Sequence, residues 1–270
     1  MPEGDTVYLT AGRLRAALAG KELTRSDFRV PRFATVDLRG QVVESVGSYG
    51  KHLFIRTPTW SIHSHLKMEG SWRVFHCGQR WTGPRVAARV VLGTDEVEAV
   101  GFSLGTVEVV RVSEEHRIVD HLGPDLLGSN WDAAEAVRRL KRYPNQAIGV
   151  ALLDQRNLAG IGNIFRSEVC FLRRIHPATR VGDIPDLFAL ANEAHRVLTE
   201  AVDKPPRRPL AFGRTHRPCQ RCGTPLVADL LGDTAPDSDR VVQRERGIYF
   251  CPRCQPMPAT WIRRDAATGM

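Results

Sequence analysis

Residues 6–18 place apolar Val7, Leu14 and Leu18 on roughly one face at helical spacing, and Gly20 ends the pattern, so the chain opens with a helix. From residue 21 to about residue 112 the period changes. Short β-rich runs at 41–46, 52–56, 86–92, 96–100 and 106–112 are broken by glycine and proline, with no helix between them. Six or more short strands of this kind predict a β-sandwich or barrel. His121-Leu122-Gly123-Pro124-Asp125 breaks that run, and helical segments follow at 132–142, 147–154, 164–171 and 184–202. Asn157-Leu158-Ala159-Gly160-Ile161-Gly162-Asn163 reads as a tight turn between the second and third of them. Residues 204–209 read as an irregular linker, and a cysteine module follows. The predicted class is α+β, with an N-terminal helix and β-sandwich at 1–120 and a helical domain at 121–210. A cysteine finger fills 211–255, and a tail without clear pattern runs over 256–270.

Charge narrows the choice of partner. The chain of 270 residues has a formal net charge of +8 and a pI near 9.5, which points to a polyanion. From residue 204 onward 12 Lys and Arg face 6 Asp and Glu, so +6 of the +8 lies in the last quarter. No amphipathic apolar face accompanies that basic stretch, which argues against a membrane partner. Glu3 and Asp5 occupy the N-terminus without an apolar run, and no stretch approaches the length of a membrane span. The expectation is a monomeric cytoplasmic protein associated with nucleic acid.

The cysteines sharpen the picture further. Of six, four form the pairs Cys219-x-x-Cys222 and Cys251-x-x-Cys254, while Cys77 and Cys170 stand alone. Two turn-borne thiolate pairs are what a tetrahedral structural zinc ion requires, and such a site leaves no open coordination position. The interval of 28 residues exceeds the usual ~15–20. The excess falls in the acidic stretch 229–239, read as an exposed hairpin loop. Arg244 and Arg246, on a strand running into Cys251, are either phosphate contacts or members of a solvated strand face.

Chemistry is foreshadowed at the other end of the chain. Pro2 becomes a free secondary amine if Met1 is removed, which the small residue behind Met1 permits. A secondary amine attacking an aldehyde-like carbon gives an iminium ion, an electron sink suited to chemistry at a sugar C1′. With an α-amine pKa near 8 against ~10.4 for lysine, roughly a tenth of such amines are neutral at pH 7. Taken alone, Met-Pro-Glu is one of many tolerated starts.

Several motifs in fixed order remove that ambiguity. Pro2-Glu3-Gly4, Gly50-Lys51-His52-Leu53, His65-Leu66-Lys67-Met68-Glu69-Gly70 and Leu122-Gly123-Pro124-Asp125 come first. Leu152-Leu153-Asp154-Gln155, Gly160-Ile161-Gly162-Asn163-Ile164, Phe212-Gly213-Arg214 and the finger with Arg246 follow. Together they resemble the formamidopyrimidine-DNA glycosylase/endonuclease VIII family of base-excision repair enzymes, from residue 2 to about residue 255. The resemblance implies a helix–two-turn–helix domain ending in a zinc finger. It implies Pro2 as the nucleophile on C1′ of a damaged nucleotide and Glu3 as the acid that assists sugar-ring opening. Lys51, Asn163 and Arg246 match phosphate contacts, and Met68 matches the wedge that enters the space left by a flipped-out base. Cys219, Cys222, Cys251 and Cys254 would hold one structural Zn2+.

Departures from the family pattern bear on substrate. Thr6 stands where many members have glutamate. Phe102-Ser103-Leu104-Gly105 lacks the arginine of the Arg-Phe-Gly loop found in branches that excise oxidised purines. Only residues 203–210 stand where those branches have a long lesion-capping loop. Both differences lean toward the endonuclease VIII-like branch and oxidised pyrimidines. The expected activity is a bifunctional glycosylase and abasic-site lyase ending in β,δ-elimination. The rivals are a non-catalytic damaged-DNA binding protein of the same fold and a zinc-ribbon RNA-binding module.

Overall fold

In the computed structural model, helix α1 (Gly4–Leu18) begins directly behind the N-terminal proline. The description covers residues 2–205, 208–232, 245–259 and 261. Val7, Ala11, Leu14 and Leu18 of α1 are buried with strand residues in one apolar cluster, and Gly20, at φ +78°, turns the chain away. Two four-stranded antiparallel sheets follow. One contains β1 (Arg25–Phe28), β5 (Ser71–His76), β6 (Ala88–Gly93) and β7 (Val97–Phe102), in the order β1-β6-β7-β5. The other contains β2 (Ser45–Tyr49), β3 (His52–Arg56), β4 (Trp60–His65) and β8 (Thr106–Arg111), in the order β2-β3-β4-β8. Alternation explains the core of the second sheet: Leu53 and Ile55 face Ile62 across the β3–β4 ladder, all fully buried inside. A one-turn helix α2 (His116–Val119) ends this unit, which spans Met1–His121.

A second unit, Leu122–Met270, is helical first. Its helices are α3 (Ala133–Leu140), α4 (Ile148–Ala151), α5 (Asn163–Leu172) and α6 (Leu187–Asp203). Asp132 and Asp186 cap α3 and α6 by accepting the backbone N–H groups of Glu135 and Ala189. One apolar cluster joins all four helices, with Leu140, Ile148, Phe165, Val169, Leu190 and Leu198 buried in it. The unit ends in a two-stranded ribbon of β9 (Val227–Leu231) and β10 (Arg246–Phe250) beside the four cysteines.

Several boundaries differ from the sequence expectation. The run at 41–46 is not a strand: Val42 makes one isolated bridge to Glu22, and the strand proper starts at Ser45. The run at 86–92 begins instead as a 3-10 turn over Arg85–Ala87 after Pro84, whose fixed φ suits a turn better than a ladder. The helix expected at 147–154 is a single turn, and that expected at 184–202 starts at Leu187, after Pro185 and the cap Asp186. The stretch 229–239 is not all loop, since residues up to Leu231 pair with β10. Its continuation, and Arg244, lie outside the described residues. So does most of the tail, but Trp261 packs against a cluster of Val150, Ala178, Leu231, Ile248 and Phe250.

Candidate functional site

Pro2 is half-buried, and Glu3 behind it is 1% exposed in the N-cap position of α1. Its carbonyl oxygen accepts the Val7 N–H at 3.1 Å, the first bond of the helix. The nucleophile candidate and the acid candidate are therefore consecutive residues fixed by the start of one helix. Thr6, in place of a carboxylate, donates its hydroxyl to Asp5 at 3.3 Å.

Lys51 and Met68 sit on turns at the same end of the second sheet, because β3 begins at His52 and β4 ends at His65, and these two residues pair; the Met68 turn leads from β4 into β5 of the other sheet. Gly50 and Lys51 form the two-residue turn between β2 and β3, with Gly50 at φ +55°. Met68 stands in the turn after β4 and is 64% exposed. That turn is tight. Lys67 has φ +56°, its N–H donates to His65 Nδ1 at 3.0 Å, and Gly70 donates to Leu66 O at 2.9 Å. A Cβ on Gly70 would fall 2.4 Å from the Leu66 carbonyl oxygen, so no side chain fits there.

Beneath these turns lies a group of imidazoles that motif reasoning did not single out as functional. Glu108, His63 and His52 form a chain, with contacts of 2.9 Å between His63 Nδ1 and Glu108 Oε2 and 2.9 Å between His52 Nδ1 and His63 Nε2. His65 meets His52 edge-on at 5.2 Å. Burial pushes His52 down to about 3 and His65 down to about 4, with His63 and Lys67 adding to both effects, and His63 is lowered by burial against the pull of Glu108. The three rings are thus neutral at physiological pH. Alternating histidines in 61–65 were the available signal, since they put His63 and His65 on the sheet face opposite the apolar core.

In the second unit Asn163 is the first residue of α5, behind Gly162 as cap. Its side-chain amide donates to the carbonyl oxygen of Gly247 at 3.0 Å, and Gly247 follows the exposed Arg246 at the start of β10. Arg166, fully buried, donates to the same carbonyl at 2.7 Å, to Gly149 O at 3.3 Å and to the Asn163 side chain. Asn163 and the backbone beside Arg246 are therefore joined in one network, with Arg166 at its centre. Glu168, two residues on, is also fully buried and accepts the N–H groups of Leu210, Ala211 and Phe212 at 2.6, 2.9 and 2.9 Å. This carboxylate fixes the segment that leads into the cysteines.

The four sulfur atoms of Cys219, Cys222, Cys251 and Cys254 lie within 4.8 Å of one another, with Cys222 at 3.5 Å from both Cys251 and Cys254 and Cys219 at 3.9 Å from Cys254. A tetrahedral zinc ion at ~2.3 Å from each sulfur needs S···S separations of about 3.8 Å, so the donor set fits one such ion. Among the described residues this is the only group of three or more metal-ligating side chains close enough to hold a metal. Cys170 is buried, and burial drives its thiol up to about 12, so it is inert; Cys77 is exposed. No helix among the described residues is long and apolar enough to cross a membrane.

Comparison with known proteins gives this geometry its family. Residues 1–111 match the formamidopyrimidine-DNA glycosylase N-terminal domain, and residues 122–206 match the H2TH domain of formamidopyrimidine-DNA glycosylase. A relative in Streptomyces coelicolor called probable endonuclease 8 2 is 49% identical, covering 100% of this chain and 99% of its own. The DNA-(apurinic or apyrimidinic site) lyase Nei2 of Mycolicibacterium smegmatis is 43% identical over 94% of this chain and 99% of its own. Among solved structures, Lactococcus lactis formamidopyrimidine-DNA glycosylase bound to abasic-site DNA superposes with a TM-score of 0.77. That match has 20% identity and covers 94% of this chain and 100% of that one. Its two domain matches and its relatives alike show that the chain belongs to the formamidopyrimidine-DNA glycosylase/endonuclease VIII family.

Proposed function

We propose that this protein excises oxidised pyrimidines from DNA through a Schiff base on Pro2 and then cleaves the strand by β,δ-elimination. The coarser activity, a DNA glycosylase and abasic-site lyase of DNA repair, is that of its family and is supported by relatives 49% and 43% identical over 100% and 94% of the chain. The observation that carries the mechanism is the placing of Pro2 and a buried Glu3 side by side at the start of α1.

With Met1 removed, the neutral Pro2 nitrogen attacks C1′, and the bond from C1′ to the base breaks, the base leaving with a proton. Glu3 gives a proton to O4′ as the sugar opens, which leaves an iminium between Pro2 and C1′. The iminium acidifies the C2′ proton. Loss of that proton expels the 3′ phosphate, and a second elimination expels the 5′ phosphate. Lys51, Asn163 and Arg246 hold phosphates around the extruded nucleotide, and Met68 takes the vacated place in the stack. One of the two N–H donors of the Asn163 amide serves Gly247 O, which holds the side chain at the α5 terminus beside Arg246. The thiolates of Cys219, Cys222, Cys251 and Cys254 would hold one zinc ion, which would supply structure to the finger. The preference for pyrimidines rests on the absence of an arginine from the stretch Phe102-Ser103-Leu104-Gly105 and on the short 203–210 segment. Damaged DNA is the partner.

Borohydride trapping tests this reading. Untagged protein mixed with an abasic-site or oxidised-pyrimidine oligonucleotide should yield a reduced crosslink that mass spectrometry maps to Pro2. An N-terminal extension should abolish it. Binding to either oligonucleotide without a crosslink would instead favour a non-catalytic damaged-DNA binding protein.

A further inference from the structure

Val86 and Met68 are the two most exposed large apolar side chains among the described residues, at 96% and 64%. They stand on adjoining loops of one unit, linked through a third. The turn carrying Met68 touches the β7–β8 turn, where Gly105 N–H donates to His65 O at 3.0 Å and a Cβ on Gly105 would meet Lys67 Cγ at 2.1 Å. The same β7–β8 turn reaches the loop of Val86, since Ser103 N–H donates to Ala87 O at 2.7 Å.

A lone exposed valine is ordinary surface. This one is held out by a pinned backbone. Arg85–Ala87 form a 3-10 turn behind Pro84, and the carbonyl oxygens on either side of Val86 are both engaged, Arg85 O by Arg29 at 3.3 Å and Ala87 O by Ser103. Trp81 clamps the loop from below: its Nε1 donates to Glu98 at 2.9 Å, and the Arg85 guanidinium lies 5.3 Å from its ring centre. An apolar tip held rigid within an arginine-rich surface (Arg73, Arg80, Arg85 and Arg89 are all exposed) fits a polyanion that also offers flat apolar faces. DNA with an unpaired base is such a partner. The β7–β8 turn between the two loops offers no apolar side chain of its own, because Leu104 is 2% exposed and packed in the core.

Extruding one nucleotide leaves two defects, a gap in the damaged strand and an unpaired base facing it. We propose that Val86 is a second wedge residue, packing on the unpaired base of the facing strand while Met68 enters the gap. The assignment rests on the reading of Met68 given above. Because valine is short and stiff about χ1, it abuts the base rather than intercalating deeply.

The test compares duplex and single-stranded oligonucleotides carrying the same lesion, since only the duplex has a facing base. Val86→Ser should lower kcat/KM on duplex on the order of tenfold and leave single-strand cleavage and the unfolding midpoint unchanged. With 2-aminopurine as the unpaired base, its fluorescence change on binding should shrink in Val86→Ser and be restored in Val86→Ile. Equal rates for Val86→Ser and the unaltered protein on duplex, or equal losses on both substrates, would overturn the proposal. If the unaltered protein cleaves neither substrate, the catalytic reading fails, while the 2-aminopurine signal still decides the contact of Val86.

Discussion

The side-chain amide of Asn163 donates to the carbonyl oxygen of Gly247 at 3.0 Å, tying the first residue of α5 to the residue after Arg246 on β10. The helical domain and the finger thus share a hydrogen-bonded seam at Asn163 and beside Arg246, two residues proposed above to contact phosphate. Arg166 completes it by donating to the same carbonyl and to Gly149 O.

Replacing Arg166 by alanine would remove the side-chain donor to Gly149 O and one of the two donors to Gly247 O, and leave a cavity where the buried side chain stood. We expect a loss of ~3–5 kcal/mol in stability, measured by urea unfolding. Weaker binding to abasic-site DNA should accompany it, because the Asn163 side chain and the Gly247 backbone beside Arg246 both lose their bond to Arg166. Arg166→Lys, with three donors on a flexible stem, should recover only part of both.

Glu168 makes a parallel prediction for the finger. Its carboxylate accepts three backbone N–H groups from residues 210–212, and an amide side chain has one acceptor oxygen instead of two. Glu168→Gln should cost about 2 kcal/mol. It should also hasten loss of the bound metal to a chelator, because the segment entering the Cys219 pair is loosened. Metal analysis of the unaltered protein should give one zinc per chain, and Cys254→Ala should lower that content.

Acid should weaken the fold through the imidazoles under Lys51 and Met68. An unfolded histidine titrates near ~6.5, whereas burial holds His52 at about 3 and His65 at about 4. Lys67 and His63 reinforce both shifts, His121 acts on His52 and Lys51 on His65; for His63, Glu108 and Glu115 oppose the effect of burial. Below pH ~6.5 the unfolded chain therefore binds more protons than the folded one, and stability falls as pH drops toward 4. The urea midpoint should change little above pH 7 and decline between pH 7 and 5. His52→Phe should show a shallower decline over that interval.

Much of this was legible in the sequence, for physical reasons that differ from place to place. Val7, Leu14 and Leu18 marked α1 because helical burial repeats at a fixed spacing. The four cysteines marked a metal site because ligand spacing is local, and their sulfur atoms do converge. The strand at 41–46 misled because Val42 and Val43 are apolar, yet Val42 is exposed and only Val43 is buried. Arg166 and Glu168 were missed because charged residues on a helix normally face water. Their burial follows from carbonyl and N–H groups of Gly247 and residues 210–212, far along the chain. Val86 was placed in a strand, and only the fold shows it on a pinned turn.

Met68 separates two steps that a simple activity assay merges. Its side chain is largely exposed, so Met68→Ala should leave the unfolding midpoint unchanged within ~0.5 kcal/mol. In the proposed mechanism an oxidised base must be drawn out of the stack before Pro2 can reach C1′, and that extrusion costs a few kcal/mol. An abasic site has no base to unstack and demands less of the wedge. Met68→Ala should therefore slow release of an oxidised pyrimidine from duplex DNA by about tenfold or more, ~1.4 kcal/mol in the barrier, and slow cleavage at an abasic site far less. Single-turnover rates on the two substrates, with borohydride trapping on the abasic one, measure that ratio. Equal losses on both would place Met68 in the elimination step or in DNA binding, and not in extrusion.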